Sequence, residues 1–144
     1  MSHITSLETS LQKTNEWLHE ICDGLKTDDR HSAYAALRGA LHALRDYLSV
    51  DEIAQLGAQL PLVVRGIYYE GWDPGSNTPR ARGRDAFMDR FHREMRGHNE
   101  LWNTENIARV AFAVIAKHVA AGEIRQIVHQ LPAGVRELWP HDYS

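Results

Sequence analysis

The sequence predicts an all-α protein of about eight helices, arranged as two pseudo-repeated four-helix halves forming one compact domain. Three observations carry this reading. Apolar residues recur at spacings of three and four through most of the chain, the period of a helix with one buried face. No Asn-Gly or Asp-Gly hairpin signal stands between alternating apolar runs. The phrase Gln59-Leu60-Pro61-Leu62-Val63-Val64-Arg65 returns as Gln130-Leu131-Pro132-Ala133-Gly134-Val135-Arg136, and so long a period seen twice indicates a duplicated half rather than an open solenoid. Between Tyr34–Tyr68 and Glu105–Trp139, 10 of 35 gap-free pairs are identical, which chance explains poorly.

The elements follow in order. Ile4, Leu7, Leu11, Trp17, Leu18, Ile21 and Leu25 form a helical stripe, with Thr5 and Glu8 as a capping box and a loosened turn near Lys13-Thr14-Asn15. Asp28 and Asp29 can cap the next helix, whose stripe is Ala33, Leu37, Ala40, Leu41, Leu44 and Leu48. Ser49 and Glu52 make a second capping box for a short helix ending near Gln59. Pro61 then fits the first position of a fourth helix running to about Glu70, since its missing amide is no loss there. These helices make up pseudo-repeat 1–72. A turn-rich linker, 73–82, leads to pseudo-repeat 83–144, in which Phe87, Met88, Phe91 and Met95 stand for Trp17, Leu18, Ile21 and Leu25.

Composition narrows the function classes. With 144 residues, 43% hydrophobic and 24% charged, the chain can bury one ordinary core. It has no apolar run of membrane-span length and no signal-peptide start, so a cytoplasmic location without membrane contact is expected. One cysteine, Cys22, excludes an internal disulfide. The net charge of −3 argues against nucleic acid as a partner. Its distribution is uneven, at −5 over residues 1–79 and +2 over residues 80–144, a pattern that suits contact between the halves or head-to-tail association.

Chemistry-bearing motifs are few. The nine histidines lack metal-ligand spacing, and no phosphate loop or activated nucleophile appears, so neither a metal nor a cofactor is expected. Glu52/Glu123 and Arg65/Arg136 recur in both copies and read as an Arg–Glu clamp across each Gln-Leu-Pro corner; the alternative is that Arg65 and Arg136 face an anionic ligand near the pseudo-two-fold axis. Gln59 and Gln130 read as hydrogen-bond caps. Tyr68-Tyr69-Glu70-Gly71-Trp72 is the most unusual stretch. Tyr68 and Trp72 read as core plugs, while Tyr69, Glu70 and Trp72 are candidate ligand contacts beside Arg65 and Arg136. The basic run Arg80, Arg82, Arg84, Arg90, Arg93 and Arg96 reads as a solvated face.

Leu41-His42-Ala43-Leu44-Arg45-Asp46-Tyr47-Leu48, then Ala54 to Pro61, then Arg65-Gly66-Ile67-Tyr68-Tyr69-Glu70-Gly71-Trp72, resemble the bacterial family known as domain of unknown function 2267. The resemblance extends over nearly the whole chain and implies a small helical cytoplasmic bacterial protein; it brings no catalytic residues. The expected function is a non-enzymatic interaction or ligand-binding module, with a protein partner, a second copy or a small molecule as its counterpart. The alternative is a small enzyme with an acid/base site at Glu70, Tyr69 and Arg65 in the crevice between the halves.

Overall fold

The structure is a computed structural model that describes residues 4–74, 83–95, 97 and 103–143. Among them are eight helices and no strand: α1 (Thr5–Leu25), α2 (Arg30–Arg45), α3 (Val50–Gln59), α4 (Leu62–Tyr69), α5 (Arg84–Glu94), α6 (Thr104–His118), α7 (Ala121–His129) and α8 (Ala133–Arg136). Most of the expected linker, 75–82, together with Arg80, Arg82 and Arg96, lies outside the described residues.

Local chemistry accounts for the helix ends. Asp29 accepts hydrogen bonds from the amides of His31 and Ser32 at the start of α2, and Ser49 accepts from Glu52 N at the start of α3, each satisfying amides that an isolated helix end leaves orphaned. Thr5 does not cap α1. The cap position is Ile4, which offers no side-chain acceptor. Nor does α1 loosen at Thr14, whose hydroxyl donates back to Ser10 O at 2.8 Å and leaves the helix continuous to Leu25. Pro61 sits just before α4 rather than inside it.

The core runs through the middle of the helices, with Trp17, Ile21, Leu37, Leu41, Leu44, Ile53, Phe87, Phe91, Phe112 and Ile115 fully buried. Phe112 stacks on Trp139 with ring centres 4.2 Å apart. The first turns of α1 overshoot this core: Ile4, Leu7 and Leu11 are 63%, 48% and 54% exposed, so the apolar stripe read from the sequence reaches beyond anything it packs on.

Helix pairings are reciprocal. The first helix of each group packs on the second helix of the other, α1 on α6 and α5 on α2, while α2 meets α6 and α3 meets α7. The details correspond as well. A β-carbon on Gly39 would lie 3.0 Å from Glu94 Cβ, and one on Gly24 would lie 2.6 Å from Val110 Cγ1; by the sequence offset, Gly24 matches Glu94 and Gly39 matches Val110. Both crossings are close because one partner is glycine. The ion pair Arg90–Asp46 at 3.2 Å joins α5 to α2, and Glu20–Lys117 at 2.8 Å joins α1 to α6. These are matching positions with the charges exchanged.

Candidate functional site

The five candidate residues fall into three groups. Arg65 and Arg136 each close their own Gln-Leu-Pro corner. Arg65 Nε donates to Gly57 O at 2.7 Å, and its Nη2 to Leu60 O at 2.9 Å and Ala58 O at 3.4 Å. Arg136 Nε donates to Leu131 O at 3.0 Å. Both guanidiniums thereby bond backbone carbonyls at the corners where α3 and α7 end. The expected Arg–Glu clamp is not formed, because the backbone at each corner supplies acceptors nearer than Glu52 or Glu123.

The two glutamates face each other instead. They occupy matching positions on α3 and α7, which pack together, and each has an Oε2 that is buried without a hydrogen-bond partner. Gln126 Nε2 donates to the other oxygen of Glu52 at 3.4 Å. Burial, reinforced by the negative charge of Glu52, pushes the Glu123 carboxyl above its ordinary range. Nearby, Gln59 Oε1 accepts from Ala120 N at 3.2 Å, serving the start of α7 where Ala120 replaces the capping Ser49.

Tyr69 and Trp72 are brought together, with ring centres 5.4 Å apart, and Tyr69 also packs on Tyr68 at 4.9 Å. The Tyr69 phenol lies over Gly57 of α3, where a β-carbon would collide with it. Tyr68 is fully buried and donates its hydroxyl to Ile53 O at 2.9 Å; Trp72 is half-buried. Glu70 turns the other way. Its carboxylate accepts from Arg38 Nε of α2 at 2.8 Å and remains 55% exposed. Tyr69 and Glu70, adjacent in sequence, thus address different helices.

Behind Glu70 lies a polar cluster that the sequence reading did not single out. Arg38, His42 and Arg45 recur at spacings of four and three, which puts them on one face of α2. Arg45 Nη1 donates to Tyr68 O at 2.7 Å and Glu70 O at 2.9 Å, tying down the end of α4. His42 Nε2 donates to Ile67 O at 2.7 Å, because a carbonyl can only accept, and its Nδ1 faces Glu94 Oε1 at 3.4 Å. Arg90 donates to the other Glu94 oxygen at 2.6 Å. Burial pushes Glu94 up, but the Arg90 hydrogen bond and the charges of His42, Arg90 and Arg38 outweigh it and hold the carboxyl below its usual range. Burial pulls the His42 pKa down despite its bond to Ile67. The signal in the sequence was the Arg38/His42/Arg45 spacing inside an apolar stripe.

The matching place in the second group looks different. Arg109 stands for Arg38, Ala113 for His42, Trp139 for Tyr68 and His141 for Glu70. Together with Glu137 and Pro140 they line a shallow pocket of about 300 Å³. Arg109 donates from Nη1 to Glu137 O at 2.8 Å and from Nε to Glu105 at 3.4 Å. Among the described residues no helix is long and apolar enough to cross a membrane, and no group of three or more His, Cys, Asp or Glu could hold a metal ion.

No curated protein matches the chain. Residues 14–138 match the family described as "Uncharacterized conserved protein (DUF2267)", a span that takes in the reciprocal helix crossings, both corners and the polar cluster. The chain belongs to this family.

Proposed function

We propose that the protein is a non-enzymatic ligand-binding module of the bacterial cytoplasm, built by duplication and holding a small molecule in its second half. One observation carries the reading. The place between the second helix and the end of the fourth is filled by the His42 ring in one half, and the matching place, where Ala113 stands for His42, is open as the Arg109–Trp139 pocket in the other. The reciprocal crossings and the charge-exchanged ion pairs support the duplication. Arg65, Arg45 and His42 are engaged with backbone carbonyls, which supports a structural use of these side chains.

Native mass spectrometry of the protein purified from its own host tests this. A reproducible small-molecule adduct, lost on replacing Ala113 with leucine, is the expected result. A bare chain mass in every preparation would overturn it.

A further inference from the structure

We infer that the first turns of α1, together with the start of α4, form a self-association surface on which a second copy of the chain packs across a two-fold axis. This surface lies apart from the Arg109–Trp139 pocket, which no α1 residue lines, so it stands or falls independently of the ligand-binding reading.

Ile4, Leu7 and Leu11 are spaced three and four apart, which puts them on one face of α1, and all three are exposed. The face beside them is anchored. Ser10 Oγ accepts from Val63 N of α4 at 2.8 Å, and Ser10 and Thr14 are both buried, so the stripe is held on a fixed helix. Leu62 precedes Val63, stands beside the same turn of α1, and is 51% exposed. These apolar side chains do not serve the core. By the sequence offset Thr14 matches Arg84, where α5 begins, and the family match also begins at residue 14. The stripe therefore precedes both the part of α1 that α5 repeats and the part that the family match covers.

Area and charge favour a second copy as the occupant. Four aliphatic side chains at about half exposure present on the order of 400 Å² of apolar surface, a patch size that marks interaction sites. A two-fold contact buries that patch twice, and about 800 Å² of apolar area is the non-polar share of an interface of roughly 1,200 Å². This is the lower end for a specific dimer, so association is reversible and follows concentration. Between Ile4 and Leu11 the one charged residue is Glu8, which gives a charged partner little to recognise and a second copy little to repel. A helix that lies on a bilayer carries lysines and arginines on its polar face, whereas Thr5 to Trp17 holds only Lys13, against Glu8 and Glu16. Apolar positions at spacings of three and four form the seam of paired helices, and the partner copy supplies the same seam.

The test is sedimentation equilibrium of the intact chain, with concentration raised through the micromolar range. The average mass is expected to rise from 16.4 kDa toward twice that value and to stop there. Leu7→Gln/Leu11→Gln is expected to weaken association at least about tenfold while leaving the thermal melt at low concentration unchanged; Leu7→Ala/Leu11→Ala serves if that variant melts early. Val50→Gln, which changes a comparably exposed apolar residue on α3, is expected to leave the dimer intact. A constant monomer mass at the highest concentration overturns the assignment, as does an association that the Leu7 and Leu11 changes leave unaltered. Growth past the dimer also overturns it, because an open head-to-tail contact would then be at work. Binding to phosphatidylserine vesicles that Leu7→Gln/Leu11→Gln abolishes would overturn it as well and give the stripe to a membrane surface.

Discussion

Replacing Glu123 with glutamine should stabilise the protein, and more so as pH rises. Glu123 is only 8% exposed, and one of its oxygens is buried with no donor. Its neighbour across the α3–α7 contact is Glu52, likewise with a buried unpartnered oxygen. The other ionisable group facing it is the Tyr68 phenol of α4, whose own pKa burial raises and the Glu123 charge raises further. Among the described residues no lysine, arginine or histidine forms an ion pair with either carboxylate, so burial and the Glu52 charge favour the protonated form of Glu123. Leaving a buried acceptor unpaired costs about 1–3 kcal/mol, and more when it is charged, and the glutamine amide would remove that charge while offering Glu52 an N–H donor. Since Glu52 is only half-buried and solvent relieves part of the repulsion, a net gain of about 1–2 kcal/mol is expected, or roughly 3–6 °C in Tm for a chain of this size.

The pH sign follows from linkage. The folded-state pKa of Glu123 lies above its ordinary value of 4.5, so folding takes up a proton between the two. The stability contributed by the protonated form is fully present below about pH 4.5 and is lost as pH rises through the folded value. Thermal melts of wild type and Glu123→Gln from pH 4 to 8 should therefore converge at the acid end and separate toward neutrality. A variant less stable than wild type at pH 8, or a constant offset across the range, would refute this account of Glu123. So would a rise in wild-type Tm on adding calcium or magnesium that the variant lacks, since a metal would then be the missing partner.

Three other perturbations probe the architecture. Arg65→Met removes donors from three carbonyls and should cost about 2–3 kcal/mol in urea unfolding, whereas Arg136→Met, with one such bond, should cost about 1 kcal/mol; equal losses would contradict the corner geometry. Gly24→Ala puts a methyl 2.6 Å from a Val110 methyl. Alanine's helical preference returns about 1 kcal/mol, yet the overpacking should leave a net loss of about 1 kcal/mol, recovered in Gly24→Ala/Val110→Ala; a more stable single variant would show that α1 and α6 are not that close. A double-mutant cycle on Glu20 and Lys117 should give a coupling of about 0.5 kcal/mol, small because the Lys117 side chain is 66% exposed, and added salt at roughly 0.5 M should reduce it.

Much of the fold was legible because its signals are local and repeated. Helical spacing and the returning Gln-Leu-Pro phrase are visible in the letters alone, and the eight helices follow them closely. Where the reading failed, the missing partner was backbone or absent packing. Arg65 and Glu52 suggested a clamp because side chains are what a sequence displays, while the carbonyls of Gly57, Ala58 and Leu60 that hold Arg65 are invisible in it. Ile4, Leu7 and Leu11 continue the α1 stripe in register, and no residue type reveals that the core stops before them. At the candidate site the obstacle was comparison by identity. His42 against Ala113 and Asp46 against Lys117 look like lost chemistry when each pair is read alone; only the helix crossings bring Glu20 to Lys117 and Arg90 to Asp46.

That exchange bears on how the two groups of four helices, α1 to α4 and α5 to α8, pair. An ion pair across a two-fold-like crossing can be kept with either polarity, because Coulomb attraction is indifferent to which helix carries which sign. With Arg90–Asp46 at one crossing and Glu20–Lys117 at the other, α5 suits α2 and α1 suits α6 by charge, so the charges favour these crossings over the exchanged ones. The same asymmetry extends one turn further along each crossing. Glu94 makes the α5–α2 crossing polar and fills it with His42, Arg38 and Arg90, whereas Gly24 and Val110 make the α1–α6 crossing apolar and close.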